Sequence, residues 1–181
     1  MPAEITIFDK LPAEMFSNLL DMMPGKSLAR MRETSLGLKG RVDDYIRNLL
    51  DRGKISDDMS MSLPKDTDPA LVVDGLDAGA YARDVDMAPE SVRDILDTTL
   101  RWSETTPDSP SSATLIETMY NEAIMARDND PEPYERLHKY TAYCLENKRL
   151  YSYGDDELLS PDTDPGQALE MWGEGKAYIR F

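Results

Sequence analysis

The sequence is poor in the side chains on which many catalytic sites depend. Its 181 residues include one cysteine, Cys144, and one histidine, His138. A single cysteine excludes an internal disulfide and is typical of a reducing compartment. A single histidine excludes the zinc and metalloprotease patterns that require two. Cys144 occupies an apolar position of its predicted helix, which indicates a small buried side chain rather than a nucleophile.

Long apolar runs are also missing. No stretch approaches the roughly 20 apolar residues that cross a bilayer. The opening MPAEITIFDK has neither a basic start nor a long apolar core, so we expect no secretory signal. Together with the single cysteine, these features predict a soluble intracellular protein, cytoplasmic or nuclear, or located in the host cytosol if a pathogen makes it.

Basic residues are scarce relative to acidic ones. The chain has 20 Lys and Arg against 35 Asp and Glu, a net charge of −15. Residues 1–54 carry a net charge of +1 and residues 55–181 carry −16. Such acidity repels nucleic-acid phosphates and anionic membranes, so we expect neither as a partner. A basic protein partner fits this charge, and so does solubility alone.

Apolar residues recur with helical spacing along most of the chain. Residues 11–51 predict three short amphipathic helices, the last of which ends at Arg52 and Gly53. Further apolar stripes predict helices near residues 89–102, 114–123, 134–145 and 165–172. We therefore predict an all-α fold, in which an N-terminal three-helix unit precedes a small irregular helical domain. The expected division is a unit at 1–54, a linker at 55–69 and an acidic helical domain at 70–181.

The pattern Asp-x-Asp-Pro occurs three times, ending at Pro69, Pro131 and Pro165. One interpretation is a metal site, but none of the three supplies the glycine and glutamate of a calcium loop. The other interpretation is a helix start, with aspartate as N-cap and proline in the first turn. We favour helix starts and expect no metal and no cofactor.

Two short segments keep alternative readings. Leu71–Gly75 is either a strand that ends in a carboxylate or part of two helical turns. The last six residues, KAYIRF, form a strand or pack against the helices. One functional hypothesis is an enzyme that uses the carboxylates around Asp74 and Asp77. Such an enzyme would require a divalent metal. No complete catalytic set is found, so we expect no enzymatic activity.

One N-terminal segment carries an ordered set of motif residues. An opening Leu-Pro-x-Glu is followed by an apolar pair, a Met-Pro, a Leu-x-Arg-Met-Arg and a serine. These residues are Leu11, Pro12, Glu14, Leu19, Leu20, Met23, Pro24, Leu28, Arg30, Met31, Arg32 and Ser35. The arrangement resembles an F-box over about residues 8–51. Thr34 and Leu38 depart from the family pattern, which usually has an aliphatic residue and a tryptophan there.

The resemblance implies a substrate-receptor function. An F-box protein docks on the SCF adaptor protein, and through it on a cullin–RING ubiquitin ligase, and presents a protein substrate for ubiquitination. The acidic helices would hold that substrate, which the sequence does not identify. The adaptor-binding residues implied are Leu11, Pro12, Met15, Leu19, Leu20, Met23, Pro24, Leu28 and Met31. The alternative is a free-standing acidic helical module for protein–protein interaction, with Leu19 and Leu20 in its own core.

Tyrosines are concentrated late in the chain. Five of nine fall within twenty residues, namely Tyr134, Tyr140, Tyr143, Tyr151 and Tyr153. The helical spacing of the first three predicts packing between helices. Tyrosine combines a large contact area with a polar group, and exposed tyrosines are frequent in binding surfaces. Tyr151 and Tyr153, in a predicted loop, are therefore candidate substrate-binding residues together with Trp172.

Overall fold

The computed structural model describes residues 7–85 and 89–181. The chain divides into two compact units, Met1–Met87 and Ala88–Phe181. Within the described residues, the first element of this unit is a short 3-10 helix at Ile7–Lys10. Its further elements are α1 (Ala13–Asp21), α2 (Gly25–Thr34), α3 (Leu36–Asp51), β1 (Ile55–Asp57), α4 (Pro69–Asp77) and β2 (Tyr81–Arg83).

The second unit begins with three α-helices of 15 to 17 residues and, like the first, ends with a strand, a helix and a strand. Its elements are α5 (Pro89–Thr105), α6 (Ser112–Ala126), α7 (Glu132–Glu146), β3 (Leu150–Ser152), α8 (Pro165–Gly173) and β4 (Ala177–Ile179). Among the helices described, none is both long and apolar enough to cross a membrane.

The fold is mostly helical, as the sequence predicts, and it also contains two short antiparallel strand pairs. Strands β1 and β2 form one antiparallel pair, with Ile55 opposite Arg83. Strands β3 and β4 form another, with Leu150 opposite Ile179. Strands β1, β2 and β3 have three residues each, which is too short for an alternating pattern to stand out from its surroundings. The segment KAYIRF contributes β4, so its strand reading is confirmed.

After the 3-10 helix of the first unit, the two units share one order of elements: three α-helices, a strand, an α-helix and a second strand that pairs with the first. Equivalent backbone hydrogen bonds link the loops to the strands, since Leu63 donates to Ile55 as Leu159 donates to Leu150, each over 2.9 Å. A residue with positive φ follows the third helix in both, Gly53 in the first unit and Lys148 in the second. The chain therefore builds the same arrangement twice from sequences that share little beyond Asp-Thr-Asp-Pro.

This repetition divides the chain differently from the sequence-based expectation. Strand β1 lies inside residues 55–69, the expected linker. Helix α4 and strand β2 belong to the first unit, because β2 pairs with β1 and α4 packs against α2. At this contact a Cβ on Gly25 would lie 2.5 Å from the carbonyl oxygen of Leu76, so glycine is needed there.

Two of the three aspartate–proline pairs start helices with the aspartate as N-cap, whereas at Asp130-Pro131 the N-cap position is Pro131 itself. The Asp68 side chain accepts a hydrogen bond from the Ala70 amide at the start of α4. The Asp164 side chain does the same for Gln167 at the start of α8. Leu71–Gly75 lies within α4, so the strand reading of that segment is wrong. Capping satisfies amides that have no partner inside the helix, which explains why the motif recurs.

A buried tyrosine, an aspartate and an arginine form a polar network in each unit. In the first, the Tyr45 hydroxyl donates to Asp21 over 2.7 Å, and Arg83 donates to the Tyr45 oxygen over 2.8 Å. Arg83 also donates to the main-chain carbonyls of Leu20, at 2.8 Å, and Met23. These carbonyls lie at and just beyond the end of α1, where helical partners run out. Arg83, in strand β2, therefore caps the C-terminal end of α1.

In the second unit the aspartate is the centre of the network. The Tyr140 hydroxyl donates to Asp97 over 2.5 Å, and Arg149 donates to both oxygens of that carboxylate over 2.9 Å. The bonds to Asp97 raise the pKa of Arg149, and burial raises the pKa of Tyr140. The network ties α5 and α7 to the residue that precedes β3.

Candidate interaction surface

The outer face of the β3–β4 pair carries aromatic and cationic side chains. Successive residues of a strand point to opposite faces. Leu150 and Ile179 are buried on the inner face, whereas Tyr151, Tyr178 and Arg180 project from the outer one. Tyr153, directly after β3, is 56% exposed. We call these four outer residues, Tyr151, Tyr153, Tyr178 and Arg180, the tyrosine–arginine surface.

The three rings of the tyrosine–arginine surface contact one another around Tyr178. The ring centroids of Tyr151 and Tyr178 lie 5.8 Å apart in a stacked arrangement. Those of Tyr153 and Tyr178 lie 4.8 Å apart and are tilted by 46°. Such pairs hold their rings in place and add roughly 0.5–1.5 kcal/mol beyond area burial. The result is an ordered aromatic surface that remains partly open to solvent.

Arg180 completes this surface from the end of β4. Its guanidinium carbon lies 4.1 Å from the ring centroid of Tyr151. It donates to both oxygens of Asp156 over 2.6 and 2.7 Å, and to the Tyr178 hydroxyl over 2.6 Å. The hydrogen bond to Asp156 raises the pKa of Arg180. These contacts therefore fix the position of the Arg180 side chain, and Asp156 balances its charge.

An acidic loop borders the tyrosine–arginine surface. Asp155, Asp156 and Glu157 follow Tyr153 closely and are all exposed. Asp156 is engaged by Arg180, and Asp155 accepts a hydrogen bond from Ser152 over 3.3 Å. The exposed ring of Tyr153 beside these carboxylates suits a lysine or arginine side chain, through a cation–π contact and charge pairing.

The first unit shows what the fold itself requires at these positions. In the shared arrangement, Tyr151, Tyr153, Tyr178 and Arg180 correspond to Ser56, Asp58, Ala82 and Asp84. The last pairing is marked by matching bonds, because Asp84 donates to Lys54 as Arg180 donates to Arg149, each over 2.8 Å. The first unit forms its strand pair without an aromatic side chain at any of the four. The tyrosine–arginine surface is thus not a requirement of this fold.

The structure brings together two of the three sequence-predicted substrate-binding residues. Tyr151 and Tyr153 share the tyrosine–arginine surface. Trp172 lies elsewhere, because the apolar side of α8 turns inward and leaves this tryptophan only 1% exposed. Its ring stacks on Tyr140 with centroids 6.1 Å apart. We therefore correct the assignment of Trp172 from a contact residue to a core residue.

Most of the predicted adaptor-binding residues are covered by the chain itself. Pro12 is exposed and Met15 is half-buried. Leu19 and Leu20, the apolar pair, are 1% and 0% exposed. The remaining residues of the set are also buried, namely Leu11, Met23, Pro24, Leu28 and Met31.

The remaining chemical candidates do not gather into a reactive site. Burial raises the pKa of the Cys144 thiol to about 12, which disfavours the nucleophilic thiolate. Asp74 and Asp77 are exposed on α4. Among the residues described, no group of three or more His, Cys, Asp or Glu side chains is placed to hold a metal ion.

Two members of the tyrosine–arginine surface are missing from the sequence-based set. Tyr178 and Arg180 belong to the alternating segment Ala177-Tyr-Ile-Arg180, which is the pattern of a half-buried strand. Reading that alternation as β4 places both side chains on one face. Their proximity to Tyr151 depends on the pairing of β4 with β3, which this segment alone does not reveal.

Comparisons with models of protein families, with curated proteins and with solved structures found no match to this chain.

Proposed function

We propose that the protein is an acidic protein–protein interaction module, which captures a basic segment of a partner protein on the tyrosine–arginine surface. The observation that carries this proposal is the difference between the two units at equivalent positions. The same strand pair forms with Ser56 and Ala82 in the first unit, so Tyr151 and Tyr178 are not explained by folding. Ordered tyrosines beside an arginine are the side chains most enriched in binding hot spots.

Charge selects the kind of partner. Residues 88–181 contain 19 acidic and 9 basic side chains. The exposed carboxylates of Asp155 and Glu157 lie next to the aromatic rings in sequence. A lysine- or arginine-rich segment gains from both, whereas an acidic segment or a nucleic acid is repelled.

The test is a selection of random 12-residue peptides displayed on phage against the immobilised full chain. We expect the enriched peptides to be rich in Lys and Arg. The decisive variant gives the second unit the outer residues of the first: Tyr151→Ser, Tyr153→Asp, Tyr178→Ala and Arg180→Asp. Its affinity for the selected peptides should fall at least about tenfold, since aromatic hot spots commonly contribute more than 1.4 kcal/mol.

The charge of this variant separates two explanations of binding. The substitutions make the protein more acidic, so purely electrostatic attraction would hold a basic peptide more tightly than before. Contact through the tyrosines predicts the opposite. Unchanged circular dichroism and tryptophan fluorescence would show that the second unit still folds, because Trp102 and Trp172 both lie in it. Peptides without basic residues, or variant affinity that is equal or higher, would refute the proposal.

A second candidate function is docking on the SCF adaptor protein, as substrate receptor of a ubiquitin ligase. It is supported by the three consecutive helices α1, α2 and α3 after Leu11-Pro12, in the order that the resemblance implies. Burial of Leu19 and Leu20 counts against it, because buried side chains offer no docking area.

Co-expression with the adaptor, followed by size-exclusion chromatography, tests this second candidate. Pro12→Ala combined with Met15→Ser changes the two members of the set that are not buried. Loss of a one-to-one complex in this variant, with an unchanged circular dichroism spectrum, would support docking. Separate elution of the adaptor and the unaltered chain would refute it.

A further inference from the structure

A cavity of about 310 Å³ opens in the second unit, where α6 ends and α7 begins. One wall is Arg127, the residue that follows α6. The other wall is one face of the first two turns of α7, because residues three and four apart are neighbours on a helix. The lining residues are Arg127, Pro131, Tyr134, Glu135, His138 and Lys139.

Two cations in this cavity lack carboxylate partners. Neither Arg127 nor Lys139 forms a salt bridge or a side-chain hydrogen bond within the described residues. Other basic side chains of the same unit do pair, namely Arg101, Arg136, Arg149, Lys176 and Arg180. With 19 acidic against 9 basic residues in this unit, carboxylates are not in short supply. Four of the nine basic residues of this unit form no salt bridge among the described residues, and two of these four, Arg127 and Lys139, line the same cavity.

The side chain of Arg127 is held in an orientation suited to a ligand. Its guanidinium carbon lies 4.1 Å from the centroid of the Tyr134 ring. A guanidinium stacked on a ring keeps its N–H groups free to donate at its edges. The ring of Tyr134 lies 6.2 Å from that of His138, which is half-buried and presents further polar atoms to the cavity.

The residues that line the cavity include two cations and one carboxylate. Glu135 is the one carboxylate among the lining residues. Asp130 lies nearby, but its carboxylate accepts a hydrogen bond from the Glu132 amide at the start of α7. The lining therefore carries a net positive charge in a unit whose total is −10.

We propose that this cavity binds a small ligand through a phosphate or carboxylate group. The group would lie between Lys139 and the outer edge of the Arg127 guanidinium, which the ring of Tyr134 supports from its other side. Arginine offers paired donors that match two oxygens of such a group, and lysine adds a second positive charge. This site shares no residue with the tyrosine–arginine surface, so it does not depend on the proposed function.

The only histidine of the chain provides a direct reporter of this cavity. In a proton NMR spectrum of the protein without a histidine tag, all histidine ring signals belong to His138. The full chain is titrated at pH 7 with inorganic phosphate, with citrate, and with sodium chloride at matched ionic strength. We expect a saturable shift with phosphate or citrate and none with chloride. The tighter of the two identifies the group as phosphate or carboxylate.

Matched variants decide whether the cations are responsible. Arg127→Gln combined with Lys139→Gln should weaken binding at least about tenfold. Lys148→Asn removes an unpaired charge of the same unit outside the cavity, and asparagine tolerates the positive φ there. This control should keep the affinity. If the double variant misfolds, Arg127→Lys replaces it, and loss of the paired donors should still weaken binding.

Two results would overturn the proposal. One is the absence of a saturable shift with either anion up to about 10 mM, where even a weak site would begin to fill. The other is a shift that survives unchanged in the cavity variants, which would place the anion elsewhere.

Discussion

The buried thiol of Cys144 should make the second unit less stable in mild alkali. Burial raises the pKa of this group from its ordinary value of 9.0 to about 12. As the pH rises through 9, the unfolded chain loses the thiol proton while the folded chain keeps it. The free energy of unfolding therefore falls, with a slope that approaches about 1.4 kcal/mol per pH unit between the two pKa values. At pH 9.5 the loss relative to pH 7 is about 0.8 kcal/mol.

Urea unfolding followed by tryptophan fluorescence measures this loss in the second unit alone. Both tryptophans, Trp102 and Trp172, belong to that unit. The control is Cys144→Ala, compared with itself at pH 7 and pH 9.5, so that any constant effect of the substitution cancels. We expect the unaltered chain to lose about 0.8 kcal/mol more than the variant over this interval. Choosing pH 9.5 limits the contribution of Tyr140, whose ordinary pKa is 10.0 and whose folded pKa is raised further.

Equal losses in both proteins, within about 0.2 kcal/mol, would refute the reasoning, because Cys144 would then titrate alike in the folded and unfolded states. A fast reaction of the native thiol with a disulfide reagent at pH 8 would contradict the burial itself.

Three further substitutions test the packing of the two units. Arg83→Met removes the donor to the carbonyls of Leu20 and Met23, and should destabilise the first unit by about 2–4 kcal/mol, seen as faster amide hydrogen exchange in α1. Gly40→Ala should stabilise α3 by about 0.5–1 kcal/mol, because a Cβ there meets no atom within 4 Å; a loss in urea unfolding would contradict this. Gly173→Ala should cost the second unit about 1–3 kcal/mol, because its Cβ would lie 2.3 Å from the Tyr120 ring; an unchanged fluorescence midpoint would show that the ring moves freely.

Local signals in the sequence predicted the helices well. The Asp68-Pro69 and Asp164-Pro165 starts combine a capping side chain with a preset φ, and both open helices in the structure. The end of α3 at Arg52 and Gly53 is likewise a local matter, since glycine adopts the positive φ found there. Helix starts and ends of this kind depend on residues that are adjacent in the sequence, so the sequence alone is enough to predict them.

The strands and the interaction surface depend on distant neighbours and were harder to predict. Ile55 was assigned to a linker because three residues carry no visible period, and its partner Arg83 lies far along the chain. The repeated arrangement was missed because the first unit has Ser56 and Ala82 where the second has tyrosines. The assignment of Trp172 as a contact residue is wrong although the local pattern favours the core, since Trp172 shares one helical face with Ala168 and Leu169.

The hydrogen bonds from Arg83 to the end of α1 can form only late in the synthesis of the first unit. Leu20 and Arg83 are 63 residues apart, so the first helix leaves the ribosome long before its closing partner is made. At roughly 5–20 residues per second, that interval lasts about 3–13 s. During this time the apolar side of α1 is exposed in the growing chain, within reach of a chaperone or another nascent protein. The first unit is therefore most vulnerable to misassociation in the seconds before residue 83 is translated.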